Sequence, residues 1–259
     1  MNGVLTAFRI ENLKVRKSKM IWVTLAAFTA APLMAGFFMF ILKNPDLAER
    51  SGLVGDKAQI LGEANWPAYL SMLAQIIAVG GILVFGFVTS WVFGREYTDR
   101  TLKDLLALPY HRATIAIAKF FTVSIVALLL SAHVTVLGIF IGSFIGLPGW
   151  SSAVLMDGLV VLLITTILTI LLSLPAAFFA CWGRGYLAPL GFIIFMVVVA
   201  QVVAAIGYGH YFPWAVPALF SGVAGEEPVL PWGSLLIVLS TSLAGVAATL
   251  AWWLWADHQ

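Results

Sequence analysis

The stretch GREYTDRTLKDLLALPYHR, residues 94–112, joins two long apolar segments and concentrates charged side chains between them. Residues 69–93 precede it and residues 113–145 follow it, and both segments consist almost entirely of apolar side chains. A helix needs about 20 apolar residues to cross the core of a bilayer, so each of these segments is long enough to span one. This pattern predicts two membrane-spanning helices joined by a short charged connection at one membrane surface.

The same pattern repeats along the chain of 259 residues, of which 61% are apolar and 10% are charged. Soluble domains average about 45–50% apolar and about 25% charged residues, which excludes a soluble enzyme as the leading interpretation. Pro32 and Pro175 predict kinks in the first and fourth spans. We predict an all-α polytopic membrane protein with six transmembrane helices, at residues 20–42, 69–93, 113–145, 154–180, 187–206 and 234–255.

The basic residues predict which ends of these helices face the cytoplasm. They concentrate before the first span and after the second, whereas the opposite side has fewer of them, mixed with acidic residues. The positive-inside rule then places both termini in the cytoplasm of a multi-pass protein of the cell membrane. The residues that decide this orientation are Arg9, Lys14, Arg16, Lys17, Lys19, Arg95, Arg100, Lys103, Arg112, Lys119 and Arg184.

Residues 1–19 predict an amphipathic helix that lies on the membrane surface. Val4, Leu5, Phe8 and Leu13 fall roughly on one side of such a helix, and the basic residues fall elsewhere. A plain basic anchor without this role is the alternative. The apolar run that follows is longer than the core of a signal peptide, which has about 7–15 residues, so we expect the first span to be retained.

Motifs for nucleotide or metal chemistry are missing from this sequence. It has no phosphate loop of the form G-x-x-x-x-G-K-[ST] and no H-E-x-x-H zinc motif, and its four histidines are dispersed. The single Cys181 allows no internal disulfide, and a net charge of +2 does not indicate a nucleic-acid surface. We therefore expect a protein that is not an enzyme and has no cofactor or metal of its own, so that any ATP use belongs to a partner.

The predicted spans contain few polar side chains that are able to contact a transported molecule. Gln75, His133 and Gln201 lie deepest, and Asp157 lies near the outer end of the fourth span. Polar residues inside a membrane often mark a substrate pathway. The alternative is that the three deepest side chains simply form hydrogen bonds with neighbouring helices.

Small residues repeat every four positions on two of the spans. Gly138, Gly142 and Gly146 form such a stripe on the third span, and Ala27, Ala31 and Ala35 form one on the first. A stripe of small residues lets another helix approach closely, so we expect helix packing at these positions. A seam between subunits is the alternative.

The connection after the second span predicts a short cytoplasmic helix. Thr101 followed by Asp104 is a helix start, and Pro109 marks the end about two turns later. Leucines at positions 102, 105 and 106 form an apolar face on this otherwise charged element. Such a face favours a protein partner, and packing on the protein's own inner surface or on lipid headgroups is the alternative.

Residues 93–119 resemble a motif of the type-2 permeases of ATP-binding-cassette (ABC) exporters, especially the small bacitracin- and lantibiotic-resistance permeases. The matching parts are FGRE at 93–96, RTLKDLLALP at 100–109, Arg112, and AK at 118–119. They correspond to a Glu, a Thr-Leu pair, a Leu-Leu-x-x-Pro turn, an Arg and an Ala-Lys in the family pattern. The resemblance implies a type-2 ABC exporter fold in which residues 95–109 form the coupling helix that docks on a separate ATPase.

This resemblance also implies roles for individual residues. The leucine face would provide the apolar anchor on the ATPase, a ring of polar side chains would surround it, and Pro109 would turn the chain back toward the third span. Arg112 and Lys119 are expected to bind lipid phosphates at the inner surface, or simply to extend their charged ends toward water. The residues expected to couple to the ATPase are Glu96, Arg100, Thr101, Leu102, Lys103, Leu105, Leu106 and Pro109.

Residues 207–233 are too interrupted by proline for a spanning helix, although the first half is apolar enough to dip into the membrane. The family resemblance implies a re-entrant segment that closes the outer end of the pathway. We therefore expect an outer gate that includes Pro213, Trp214 and Pro217, and an ordinary outer loop is the alternative.

Together these features predict the membrane-spanning permease subunit of an ATP-driven ABC exporter. Its expected cargo is amphipathic, such as a peptide antibiotic, a drug or a lipid-like molecule. Its expected partners are two cytoplasmic ABC ATPase subunits that bind ATP and Mg, a second permease copy or a related permease, and the lipid bilayer. The alternatives are an ATP-independent channel or carrier and an intramembrane lipid enzyme with His133 and Asp157 as its acid–base pair.

Overall fold

The computed structural model describes residues 2–44, 63–102, 105, 111–223 and 229–256. Every regular element in these ranges is a helix, and six helical segments are long and apolar enough to cross a membrane, which confirms the predicted fold class. The helices are α1 (Asn2–Arg16), α2 (Lys19–Lys43), α3 (Trp66–Thr98), α4 (Arg112–Ile145), α5 (Ser152–Ser173), α6 (Ala176–Trp182), α7 (Leu187–Ala205), α8 (Val216–Phe220) and α9 (Trp232–Trp255).

Most helix boundaries lie within three residues of the sequence prediction, and the structure differs more clearly at two places. The prediction that a separate coupling helix begins at residue 95 is wrong, because residues 95–98 continue α3 without a break. The fourth span divides at Pro175 into α5 and α6, since proline lacks the amide that would continue the hydrogen-bond ladder. Pro32, in contrast, lies inside an uninterrupted α2.

Polar side chains fix the first turns of the long helices. The Asn65 side chain accepts a hydrogen bond from the Ala68 amide at 3.0 Å, and the Ser151 hydroxyl accepts one from the Val154 amide at 3.1 Å. The first amides of a helix have no partner within the helix, so these side chains satisfy groups that would otherwise need water. They set where α3 and α5 begin.

α3 is the central helix of the structure. It packs along α5 and α4 and also contacts α2, α6 and α7, and it contributes fully buried side chains such as Tyr69, Leu73 and Phe85. The opposite situation holds for α7 and α9, whose apolar faces are largely exposed. Exposed apolar faces of this length suit a bilayer rather than water.

The helix bundle has two ends with different chemistry. We call the region where α1, the last turn of α3 and the first turns of α4 meet the basic end. The region that contains residues 146–151, 207–223 and 229–231 is called the opposite end. α1 reaches the basic end by packing Ala7, Glu11 and Val15 against α4, while Leu5 and Leu13 stay exposed.

Candidate functional site at the basic end

α3 ends in a Schellman motif that fixes the direction of the chain that follows it. The Thr101 amide donates to the Glu96 carbonyl at 3.0 Å, and the Arg100 amide donates to the Tyr97 carbonyl at 3.3 Å. Arg100 has a φ of 57°, the left-handed conformation that this motif requires and that glycine usually provides. Arginine adopts it at a cost of about 1–2 kcal/mol. The first residues of the connection therefore have a defined and strained backbone.

The Glu96 carboxylate holds this turn to two other helices. Its Oε2 accepts a hydrogen bond from the Thr101 hydroxyl at 2.6 Å. Its Oε1 accepts from Lys119 Nζ of α4 and from Lys14 Nζ of α1, each at 3.0 Å, and lies 3.4 Å from Arg95 Nε. One buried carboxylate thus connects α1, α3, α4 and the start of the connection.

Glu11 completes the cluster from α1. Its Oε2 accepts from Lys119 Nζ at 2.9 Å, and its Oε1 accepts from Lys14 Nζ at 3.1 Å. Lys119 also donates to the Val92 carbonyl at 3.1 Å, so its ammonium group has three acceptors for its three protons. We call Glu11, Lys14, Arg95, Glu96 and Lys119 the junction cluster.

Burial makes the junction cluster energetically important. The side chain of Lys119 is 0% exposed, and those of Glu11 and Glu96 are 3% and 2% exposed. Removing one partner of a buried ion pair costs about 3–5 kcal/mol, because the remaining charge is left without a partner away from water. The cluster therefore fixes α1 to the ends of α3 and α4.

The role expected for Lys119 at the membrane surface is wrong. A side chain that is fully buried and bound by two carboxylates and a carbonyl has no face for lipid phosphates. Glu96 is likewise buried, so it positions the connection from within and does not form an exposed surface for an ATPase. Arg112 is half-buried at the first residue of α4.

The predicted leucine face is only partly available to a partner. Leu102 is 7% exposed and belongs to the protein's own core, and Leu105 is half-buried against the same core. The expectation that Leu102 anchors a partner is therefore wrong, and the alternative of packing on the protein itself describes it. The side chains of Lys103, Leu106 and Pro109 lie outside the described residues. The exposed residues at this turn are Thr98, Asp99, Arg100 and Thr101.

The three polar residues expected in a pathway lie in different surroundings. His133 Nε2 lies 2.8 Å from the Thr29 hydroxyl of α2, which itself donates to the Leu25 carbonyl, so the imidazole N–H donates to Thr29. Gln75 donates to the Gly222 carbonyl at 3.2 Å. Gln201 is exposed on α7. Two of the three therefore bond neighbouring segments of the protein.

The glycine stripe of α4 lies against α3 of the same chain. A Cβ at Gly142 would lie 2.7 Å from the Trp66 ring, and one at Gly138 would overlap the Leu73 side chain. Gly146 instead ends α4 with a φ of 68°. The first two positions allow close helix packing within the chain, and the third allows a helix end.

The segment expected to form an outer gate is made of short turns. Residues 209–211 and 213–215 are single 3₁₀ turns, and α8 follows them. Trp214 and Pro217 are buried and Pro213 is half-buried, while the segment packs on α3, α5, α7 and α9. The Ser71 hydroxyl fixes its end by donating to the Ser221 carbonyl at 3.0 Å.

Within the described ranges, no group of three or more His, Cys, Asp or Glu side chains has the arrangement of a metal site. His133 and Asp157 lie on α4 and α5, with His133 bound to Thr29 and Asp157 exposed near the start of α5. The buried carboxylate that sequence reasoning missed is Glu11. Its signal was a lone acidic residue among basic ones, four positions from both Ala7 and Val15 on one helix face.

Comparisons with known proteins agree with this architecture. The pattern of the ABC-2 family transporter proteins matches residues 7–200, a range that contains the whole junction cluster. The chain is also 31% identical over 178 residues to the bacitracin transport permease protein BCRB of Bacillus licheniformis, covering 68% of this chain and 85% of that relative. These matches confirm the resemblance drawn from residues 93–119. The protein therefore belongs to the ABC-2 family of transporters, as a multi-pass membrane subunit.

Proposed function

We propose that this chain is the permease subunit of an ATP-driven ABC exporter that moves an amphipathic molecule out of the cell. The observation that carries this proposal is the rigid start of the connection after α3. Its backbone is fixed by the Schellman motif and by Glu96, and its residues 98–101 are exposed. A rigid element joined to spanning helices is suited to transmit movement from a partner into the membrane.

The partners of this proposal are two cytoplasmic ABC ATPase subunits and a second permease, either a copy of this chain or a relative. ATP and Mg bind to the ATPases, since this sequence has no phosphate loop of its own. The basic end then faces the cytoplasm together with both termini, as the positive-inside rule favours. The exposed apolar faces of α7 and α9 support contact with lipid and with the second permease.

The ATPase contact in this proposal is centred on Asp99 and Arg100. Leu102 is unavailable because it lies in the core, and Leu105 presents only part of its surface. Arg100 is exposed and held in a strained conformation, and such strain often accompanies a functional residue. The junction cluster would carry force from this contact to α1 and α4.

A peptide antibiotic, a hydrophobic drug or a lipid-like molecule is the proposed cargo. The relative with 31% identity is named for bacitracin transport, which supports a peptide antibiotic. The walls between the helices are mostly apolar, which suits a molecule with a large apolar part.

Reconstitution tests this function. The chain and a candidate ABC ATPase are co-expressed, purified together and placed in liposomes with the ATPase facing outward, and ATP-driven accumulation of labelled bacitracin inside the liposomes is measured. We expect transport that needs both proteins and is lost when the phosphate-loop lysine of the ATPase is replaced. Transport at full rate by the chain alone would instead support an ATP-independent channel or carrier.

A further inference from the structure

A cavity of about 440 Å³ lies near the opposite end, between α3, α7 and the segment that contains α8. Its volume falls within the range of about 300–1,000 Å³ that is usual for small-molecule sites. Val79, Gln201, Ala205 and Val223 at its rim are exposed, so a molecule reaches it from the apolar surface of the bundle.

Six of the residues that line the cavity are alanines, whose short side chains leave space between the elements. Elsewhere the bundle pairs small with large residues, as at Gly142 and Trp66. Here the small residues come from α3, from α7 and from the segment that contains α8. The alanines of the wall are Ala78, Ala200, Ala204, Ala205, Ala215 and Ala218.

Two polar side chains in the wall have unused hydrogen-bonding capacity. Trp214 is only 8% exposed, and its indole nitrogen is buried without a hydrogen-bond partner in the described part of the chain. Gln201 adds a carboxamide on the facing helix. A buried donor without a partner is unfavourable by about 1–3 kcal/mol, which a bound acceptor would recover. None of the described residues that line the cavity has an ionisable side chain.

We propose that this cavity binds the apolar part of an amphiphile that carries an uncharged hydrogen-bond acceptor, such as an amide carbonyl. Gln201 and Trp214 hold the acceptor, and the alanines surround the hydrocarbon. This inference rests on the proposed function, for which it supplies a cargo contact site. A ligand bound there touches α7 and the 214–223 segment together, and the end of that segment is tied to α3 through Gln75 and Ser71.

Photolabelling of the full chain in lipid nanodiscs tests the site. The probe is a decanamide with a diazirine on its alkyl chain, and mass spectrometry identifies the labelled peptides. We expect labels on α7 and on residues 214–223. Ala204→Phe and Ala218→Phe fill the cavity from two different elements. Each is expected to reduce labelling about tenfold, which corresponds to a loss of about 1.4 kcal/mol of binding free energy.

Two controls separate this site from general partitioning into apolar grooves. Ala132→Phe fills a groove of about 530 Å³ between α4 and α5, and it is expected to leave labelling of α7 unchanged. Gln201→Leu is expected to reduce labelling by decanamide about fivefold while leaving labelling by the matching alkane diazirine unchanged. Thermal unfolding of each variant verifies that it is folded.

Equal labelling in the filled and unfilled variants overturns the proposal, as does equal loss of both probes in Gln201→Leu. ATP-driven export, measured separately on the unmodified complex, tells the two proposals apart. If the unmodified complex exports its cargo but the Phe variants are labelled as before, the binding site is rejected and the exporter proposal stands. If labelling is specific to the site but no ATP-driven export is measured, the exporter proposal is rejected and the cavity remains a binding site for amphiphiles.

Discussion

Helices at both ends of the bundle terminate in Schellman motifs, but the residue at the left-handed position of the motif differs between the two ends. Schellman hydrogen bonds end α3 and α6 at the basic end, where Arg100 and Arg184 have φ values of 57° and 51°. The same motif at the opposite end has glycine at the left-handed position, with φ between 68° and 84°. The glycines are Gly146, Gly207 and Gly222.

This difference shows that the basic end accepts strain that the opposite end avoids. The two arginines also terminate neighbouring helices, since a Cβ at Gly94 of α3 would lie 2.9 Å from the Gly185 carbonyl oxygen just after α6. Glycine would satisfy the backbone at both positions without strain. An arginine at each position places positive charge at this surface, which the backbone geometry alone does not require.

The two ends also differ in the type of interaction that holds their segments in place. Buried charges hold the basic end, whereas hydroxyl and amide groups bound to backbone carbonyls hold much of the opposite end, as at Ser71 and Gln75. A neutral hydrogen bond contributes about 0.5–1.5 kcal/mol, less than the loss on breaking a buried ion pair. Substitutions at the basic end are therefore expected to lower the free energy of unfolding by more than substitutions at the opposite end.

The largest effect is expected at Lys119. Lys119→Leu leaves the carboxylates of Glu11 and Glu96 buried with fewer partners and is expected to lower the free energy of unfolding by about 3–5 kcal/mol. Thermal unfolding in detergent measures the loss. Lys14→Leu is the matched control, because Lys14 binds the same two carboxylates but is 28% exposed, so its loss is expected to be smaller. Equal losses would contradict the importance of burial.

A smaller effect is expected at Gly207, where no atom lies close enough for an added Cβ to clash. Gly207→Ala places a side chain at a φ of 84° and is expected to destabilise by about 1–2 kcal/mol. Gly191→Ala is the control, since Gly191 is also in open space but inside α7. It is expected to stabilise by about 0.5–1 kcal/mol. The same sign for both in thermal unfolding would argue against backbone strain.

Ser71→Ala tests whether an uncharged hydrogen bond holds the segment at the opposite end in place. It removes the hydrogen bond to the Ser221 carbonyl, for an expected loss of about 0.5–1.5 kcal/mol. Faster amide hydrogen exchange in residues 216–223 would measure the local effect. Ser240→Ala removes only an exposed bond to the Ile237 carbonyl of its own helix and should leave exchange there unchanged. Unaltered exchange in both variants would show that Ser71 does not hold the segment.

The smallest change in stability, with the opposite sign, is expected for Arg100→Gly. It relieves the left-handed strain and is expected to stabilise the isolated protein by about 0.5–1 kcal/mol, after the greater freedom of glycine in the unfolded chain is subtracted. Under the proposed function it also weakens association with the ATPase, measured by co-purification. Arg184→Gly relieves the same strain and serves as the control. Undiminished association of the Arg100 variant would remove that residue from the docking surface.

Hydropathy alone was sufficient to predict the six spans, because the bilayer requires about 20 apolar residues in each helix and the sequence shows these runs directly. The motif at 93–119 also led to the correct family. Roles of single residues were harder to predict. Lys119 and Leu102 were expected at a surface because their residue types and positions suit one, yet the fold buries both.

The sequence by itself determined the number of spans, the charge asymmetry of the two sides and the charged connection that marks the family. These properties depend on composition along short segments. Only the tertiary structure decided that Glu11 and Glu96 share Lys119 and that alanines of three elements leave a cavity beside Trp214. The partners in these contacts come from helices far apart in the sequence, and their distances depend on how those helices pack.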